Sequence, residues 1–298
     1  SLMTPVRQTG THVPVMSTEV ISYLNIFTDG IYIDGTVGLG GHATLILNQL
    51  SKKGHFIGID RDAEALSLCT KRLSSHPTPF SLFQDSFHNL NAILDGMGIS
   101  QVNGILLDLG LSSLQLNSPL RGFTYTVDSD LDMRFDTSQK TKAIHFLNQL
   151  PVKELANLIY QYGEEKRSRA IARSIVKLRP LQTVFDLLEA IRRSTPPNYR
   201  NRSIARVFQA IRIKVNGELE KLDTFLASFY TRLTVGGRIA IISFHSLEDR
   251  KVKHCFKYLA NEKKVSILTK KPMVPTPTEL SENRRSKSAK LRVAERIS

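Results

Sequence analysis

The sequence predicts an α/β protein: a doubly wound, mostly parallel sheet with an all-helical domain inserted before its last parallel strand. Three observations carry that expectation. Apolar strand-like runs at 31–36, 55–60, 78–84 and 104–109 alternate with helix-like stretches at 42–51, 62–73 and 88–96. Alternation at this spacing argues parallel strands joined by right-handed crossovers. A glycine-dense turn, Gly35-Thr36-Val37-Gly38-Leu39-Gly40-Gly41-His42, follows the first run. From about Leu114 to Asn216 strand patterning then stops, to resume in a fifth run at 238–244.

In chain order, the first strand ends in Asp34 and enters the glycine turn. Glycine permits positive φ and close backbone approach to a ligand, and the helix that follows aims its free N–H groups at the same place. The second strand ends in Asp60, 20 residues after Gly40, where nucleotide-binding α/β folds place an acid for ribose hydroxyls. The ligand expected there is an adenosine-containing cofactor. Gly38-Leu39-Gly40-Gly41-His42-Ala43 fits the dinucleotide fingerprint only in its relaxed, alanine-ending form. Asp34 before the turn suits a cationic amine and would repel a pyrophosphate. Both features favour S-adenosylmethionine over a nicotinamide dinucleotide, which remains the rival reading.

Past the third strand, Phe87 either packs against adenine or belongs to the core. The fourth strand ends in Asp108, an acceptor for a cofactor amine or for an exocyclic amine of a substrate. Helices are expected through the insert at 143–150, 152–162, 164–178, 183–193 and 203–215. Thr195-Pro196-Pro197-Asn198-Tyr199 resembles the Asn/Asp-Pro-Pro-Tyr segment of amino-methylating enzymes, but it falls in the insert and reads as a loop between helices. A helix at 218–233 shows Leu219, Leu222, Leu226, Phe229 and Leu233 as a core stripe, and Gly236-Gly237 is expected to turn it into the fifth strand. His245, just past that strand, reads as a base, a phosphate contact or a structural histidine. Glu248 and Asp249 suit the N-terminal dipole of a helix at 247–260. Runs at 265–268 and 290–294 are expected as closing edge strands, separated by a loop that takes in 271–277 and 281–288.

Lysine plus arginine number 41 against 27 acids, a net charge of +14. The surplus is concentrated: 13 basic against 4 acidic residues over 160–215, and 10 against 4 over 262–298. That distribution suits a polyanion, whose bound counterions are released on contact, and points to a nucleic-acid surface. Arg121, Arg206 and Arg212 are the candidates for backbone phosphates. Cys69 and Cys255 stand alone, without disulfide or metal-ligand spacing, so no metal is expected. Ser1-Leu2 ahead of Met3 reads as a cloning scar. No secretory signal is visible and no apolar run approaches the roughly 20 residues needed to span a bilayer, so a soluble cytoplasmic protein is expected.

Taken jointly, a set of motifs resembles the bacterial 16S ribosomal RNA cytosine-N4 methyltransferases. They are His12-Val13-Pro14-Val15-Met16, residues 34–42, Asp60-Arg61-Asp62, residues 106–113 with Gln115-Leu116, and Arg121-Gly122-Phe123. Leu131-Asp132-Met133-Arg134, Phe208-Gln209-Ala210-Ile211-Arg212, residues 243–250 and Ser288-Ala289-Lys290-Leu291-Arg292 complete the set, which spans essentially the whole chain in the family's order. The resemblance implies a class I (Rossmann-like) S-adenosylmethionine-dependent methyltransferase sheet formed by 1–113 and 217–298. It implies a helical RNA-recognition insert at 114–216 and a decoding-centre cytidine of the small ribosomal subunit as target. It also implies cofactor contacts at Gly40, Gly41, His42, Asp60, Phe87, Asp108 and Gln115. Asp108 and His245 are the candidate catalytic residues. The chain departs from the family at Asp128-Ser129-Asp130, usually Asp-Gly-Pro, and at Arg202-Ser203-Ile204-Ala205-Arg206, usually His-Pro-Ala-Thr-Arg. A non-catalytic RNA-binding or ribosome-assembly protein on a relic fold is the third reading.

Overall fold

Strands buried on both faces read as continuous apolar runs, and helices must cover them. The computed structural model, which describes residues 13–298, has this arrangement. Ser1-Leu2 and His12 lie outside the described residues. Strands β1 (Ile31–Asp34), β2 (His55–Asp60), β3 (Phe80–Gln84), β4 (Val102–Asp108) and β5 (Leu233–Ser243) are parallel, and β6 (Val265–Ile267) and β7 (Lys290–Arg296) close the sheet antiparallel. The strand order is β3-β2-β1-β4-β5-β7-β6. The chain therefore winds outward from β1 to β3 and restarts at β4 on the other side of β1. Ligands bind at such a switch point, beyond the carboxyl ends of the strands. Asp34 pairs with Gly58 on one side and Leu106 on the other, so Asp60 and Asp108, each two residues further on, overhang the tip of β1.

Helices α1 (Ser17–Leu24), α2 (Gly41–Gln49), α3 (Ala63–Leu73) and α4 (Leu90–Met97) accompany the first half of the sheet. Helix α5 (Ser113–Asn117) follows β4, and α6 (Ala143–Gln149), α7 (Val152–Gly163), α8 (Ser168–Leu178), α9 (Val184–Ser194) and α10 (Arg200–Asn216) form the helical region. That region has a hydrophobic core of its own, including Leu147, Ile159, Ile171, Leu187 and Ile211. After it come α11 (Glu218–Ser228), α12 (Ser246–Asn261) and α13 (Pro277–Glu282). Among the described residues, no helix is long and apolar enough to cross a membrane.

Several elements differ from the sequence reading. Helices α1, α5 and α13 are not anticipated by it, because each spans eight residues or fewer, too few turns for a helical period to stand out. The helix expected at 164–178 is one helix but starts only at Ser168: α7 runs to Gly163, which packs against the Arg206 carbonyl, where a Cβ would come within 2.6 Å, and Glu164 turns left-handed at φ 52°. Helix α11 ends at Ser228, and a 3-10 turn over Phe229–Arg232 leads directly into β5 at Leu233. Gly236-Gly237 therefore lies inside the strand, where the β4 pairing jumps from Val102↔Leu233 to Gly104↔Arg238. The glycines absorb an irregularity in the strand instead of starting it.

Candidate active site

The tips of β1, β2 and β4 open onto a cleft that is partly continuous with solvent. The glycine turn forms its floor and is pinned from both sides. Gly35 N–H donates to the Leu106 carbonyl at 2.9 Å and Val37 N–H to the Ile59 carbonyl at 2.9 Å. At Gly38, a φ of +53° turns the N–H onto Asp60 Oδ2 at 2.8 Å. The other oxygen, Oδ1, accepts from Asp62 N–H at 2.9 Å. Burial, partly offset by these two N–H donors, pushes the Asp60 carboxyl up to about 6.

Thr36 couples the strand tips. Its hydroxyl donates to Asp34 Oδ1 at 3.2 Å and accepts from Asp108 N–H at 2.7 Å. Asp34 is fully buried behind this threonine and also accepts from Thr36 N–H at 3.0 Å. Burial, opposed by Thr36 and reinforced by Asp108 and Asp60, pushes its carboxyl up to about 7. Asp34 does not line the cleft, so direct contact with a ligand amine is replaced by a charge acting from one layer back. Gly40 is likewise behind the wall, its φ of +86° shaping the turn while Gly41 and His42 face the cleft.

His42 opens α2, buried, with Nε2 2.8 Å from the Val15 carbonyl and Nδ1 3.8 Å from Asp108 Oδ2. Phe87 lines the cleft, and its ring also meets Phe225 edge-on at 5.6 Å in the core. Gln115, in a capping box with Ser112, donates from Nε2 to Asp62 Oδ2 at 3.2 Å. Asp62 in turn caps α3 through the N–H of Glu64 at 3.1 Å.

Other candidates lie elsewhere. Arg121 is buried, not a surface cation: it donates to Asp62 Oδ2 at 3.0 Å and to the carbonyls of Arg134 and Phe135 at 2.9 and 3.0 Å. Arg212 grips Glu218 at 3.0 and 3.3 Å with its side chain 16 % exposed. Both bind the fold together because a buried guanidinium needs carboxylate or carbonyl partners. Arg206 keeps a 39 % exposed side chain, 3.7 Å from Glu165. His245 sits at the N-terminus of α12, accepting the Glu248 N–H at Nδ1 over 3.4 Å, with Nε2 3.4 Å from Glu248 Oε1; it does not line the cleft. A base role for His245 is thereby replaced by helix capping.

Sequence reasoning passed over several lining residues. Glu248, explained there by the helix dipole alone, reaches the cleft and accepts from Phe244 N–H at 3.0 Å. Arg61 and Lys221 also face it, both donating to the Asn216 carbonyl, at 2.8 and 2.9 Å. Arg285 arrives from the C-terminal segment, donating from Nε to the Leu111 carbonyl at 3.1 Å with Nη2 3.8 Å from Asp108 Oδ2. Its only sequence signal was a place in a basic tract. Among the described residues, no group of three or more His, Cys, Asp or Glu side chains could hold a metal ion.

A cleft at the switch point, lined by Asp60 and Asp108 with Asp34 buried one layer behind, suits a nucleoside that carries positive charge. Comparison with known proteins identifies the family. The Ribosomal RNA small subunit methyltransferase H of Thermosipho africanus is 48 % identical over 290 residues, covering 96 % of this chain and 98 % of that protein. The protein of the same name from Kosmotoga olearia is 47 % identical over 96 % and 97 % of the two chains. A methyltransferase structure from Streptococcus mutans, in complex with SAH, aligns at 13 % identity and a TM-score of 0.45 over 94 % of this chain and 97 % of that one. At that level the fold is read from this sheet alone. Residues 9–297 match the model of the MraW methylase family, and the chain belongs to that family.

Proposed function

We propose that this methyltransferase transfers a methyl group from S-adenosylmethionine to the N4 amine of a cytidine in the decoding centre of 16S ribosomal RNA. The observation that carries the reading is the convergence of Asp60, Phe87 and Asp108 on one cleft at the β1/β4 switch point. The residues fit the cofactor. Asp60 presents a carboxylate already held by Gly38 and Asp62 N–H groups, an oriented acceptor for ribose hydroxyls. The Phe87 face suits adenine, and the Gly41-His42 start of α2 suits a carboxylate. Asp34, displaced toward its neutral form by burial and by Asp108 and Asp60, marks a place where a cation would be stabilised.

When bound, the cofactor supplies an electrophilic methyl on a sulfonium. The protein's share is alignment and exclusion of water, which suffices for much of a direct displacement. Asp108, 8 % exposed and facing the cleft, is placed to accept from an amine brought to that methyl. We assign RNA recognition to the insert, 114–216, where Arg206 and neighbouring exposed cations on α10 remain available to phosphates. A nicotinamide dinucleotide is disfavoured, because its pyrophosphate would meet the buried acids at the glycine turn.

The test is transfer of tritium from labelled S-adenosylmethionine to small subunits or their assembly intermediates, followed by nuclease mapping. Label on a decoding-centre cytidine is expected. Label elsewhere, or on no RNA, would exclude the assignment.

A further inference from the structure

Two hydrogen-bond acceptors face each other across the cleft with no donor between them. His42 Nε2 lies 2.8 Å from the Val15 carbonyl, which only accepts, so Nε2 carries the ring hydrogen. Burial lowers the imidazole's proton affinity, so the ring is neutral and Nδ1 keeps its lone pair. Nδ1 stands 3.8 Å from Asp108 Oδ2, beyond hydrogen-bond length. Asp108 Oδ1 takes the Gly110 N–H at 3.3 Å, while Oδ2 accepts nothing among the described residues and has Arg285 Nη2 only at 3.8 Å. Both side chains line the cleft. Neither atom is sealed from solvent, so both lone pairs are acceptor sites open to a ligand in the cleft. A nitrogen about 2.9 Å from each atom closes a triangle on the 3.8 Å side with roughly 80° at the nitrogen, within reach of two N–H bonds.

We propose that His42 Nδ1 and Asp108 Oδ2 jointly hold the exocyclic amine of the target base, making His42 a catalytic residue. The proposal rests on the amine-methyltransferase reading above and adds the group that accepts the proton. An aromatic amine is a poor nucleophile because its lone pair is delocalised into the ring. Acceptors on both of its hydrogens draw the nitrogen toward pyramidal geometry and localise the pair. The amine nitrogen then forms the new N–C bond with that pair as the methyl carbon parts from sulfur, which keeps the electrons of the broken bond. The nitrogen, now positive, loses one proton to His42 Nδ1. The resulting imidazolium keeps its Nε2–H bond to Val15, lies beside the Asp108 carboxylate, and returns the proton to solvent. The cofactor's own ammonium has the same donor chemistry, so the test must separate the two.

A reciprocal pair of substitutions does so. His42→Gln can still donate an amide N–H to the Val15 carbonyl but has no acceptor where Nδ1 stands. His42→Asn puts an amide oxygen near Nδ1 and forfeits the Val15 bond. Single-turnover methyl transfer to small subunits and the calorimetric Kd of S-adenosylmethionine are measured for each. His42→Gln is expected to slow transfer about 100-fold with Kd within about threefold of wild type, and His42→Asn to stay within about tenfold of the wild-type rate. A wild-type rate in His42→Gln overturns the proposal. So does an equal loss in His42→Asn, which would assign the effect to the Val15 tie. A Kd weakened about tenfold or more in His42→Gln overturns it in favour of the cofactor's ammonium. Imidazole ¹⁵N resonances of the wild-type protein give a readout free of substitution: the hydrogen is expected on Nε2, and a hydrogen on Nδ1 overturns the assignment. A wild-type protein that methylates no cytidine amine would instead defeat the proposed function, and the proposal with it.

Discussion

Arg121 and Asp62 form a buried ion pair, Nη1 to Oδ2 at 3.0 Å, that ties the segment after α5 to the N-terminus of α3. The same carboxylate oxygen receives Gln115 Nε2, and Asp60 lies two residues away at the cleft. A cation that looked available to RNA therefore holds the segment after α5 against the wall of the cleft.

Arg121→Ala should consequently act on stability. It leaves the Asp62 carboxylate buried without its cation, a loss of about 3–5 kcal/mol. Urea unfolding measures it, and the salt dependence of RNA binding should keep its slope. A variant as stable as wild type with a flatter salt slope would return Arg121 to the RNA surface.

Arg206 and Arg212 should behave oppositely to one another. Arg206→Ala removes a half-exposed cation and is expected to lower RNA affinity and reduce the slope of log K against log salt by about 0.7–0.9, one phosphate's worth. Arg212→Ala breaks the Glu218 pair and should lower the unfolding midpoint while the salt slope stays put. Filter binding across a salt series distinguishes the two.

Asp60→Ala should weaken S-adenosylmethionine binding by about 1–3 kcal/mol, the cost of leaving ribose hydroxyls unpaired in the cleft. Calorimetric titration checks this, and an unchanged Kd would exclude the ribose assignment.

Asp34 links binding to protons. Its folded pKa, raised to about 7 from the ordinary 3.8, means the carboxyl is about half protonated near neutrality. A sulfonium cation favours the ionised form, so cofactor binding at pH 7 should release up to about half a proton per site and strengthen as pH rises through 7. Titrations in buffers of different ionisation enthalpy reveal the release; buffer-independent heats would speak against it. For stability the sign is the usual one for a raised acid. The contribution is intact below about pH 4 and is lost as pH climbs to about 7. Asp34→Asn keeps an oxygen for Thr36, should match wild type near pH 4, and should exceed it above pH 7 by up to about 4 kcal/mol. Melting curves across that range test the claim.

The parts of the site that are local in the chain were legible beforehand. Glycines 35 to 41, Asp60 and Asp108 announce themselves because a strand has a period of two, a tight turn needs residues that tolerate positive φ, and parallel strands end together on one edge. The helices of the region α6 to α10 were equally visible wherever an apolar stripe recurred with helical spacing, as in α9 and α10. Boundaries failed where the deciding contact was distant, as at Gly163 against Arg206 and at Leu233 pairing across to Val102.

By itself, the order of residues determined the sheet's winding, the glycine turn and the acids at the strand tips. Only the tertiary structure decided which charges stayed free. Arg121 and Arg212 found carboxylates 59 and 6 residues away and were drawn inside, while Arg285 came from 174 residues beyond Leu111 to stand beside Asp108. The physical reason is that a charge can be buried only with an opposite partner or a carbonyl at hand, and which partner is at hand depends on how distant segments pack.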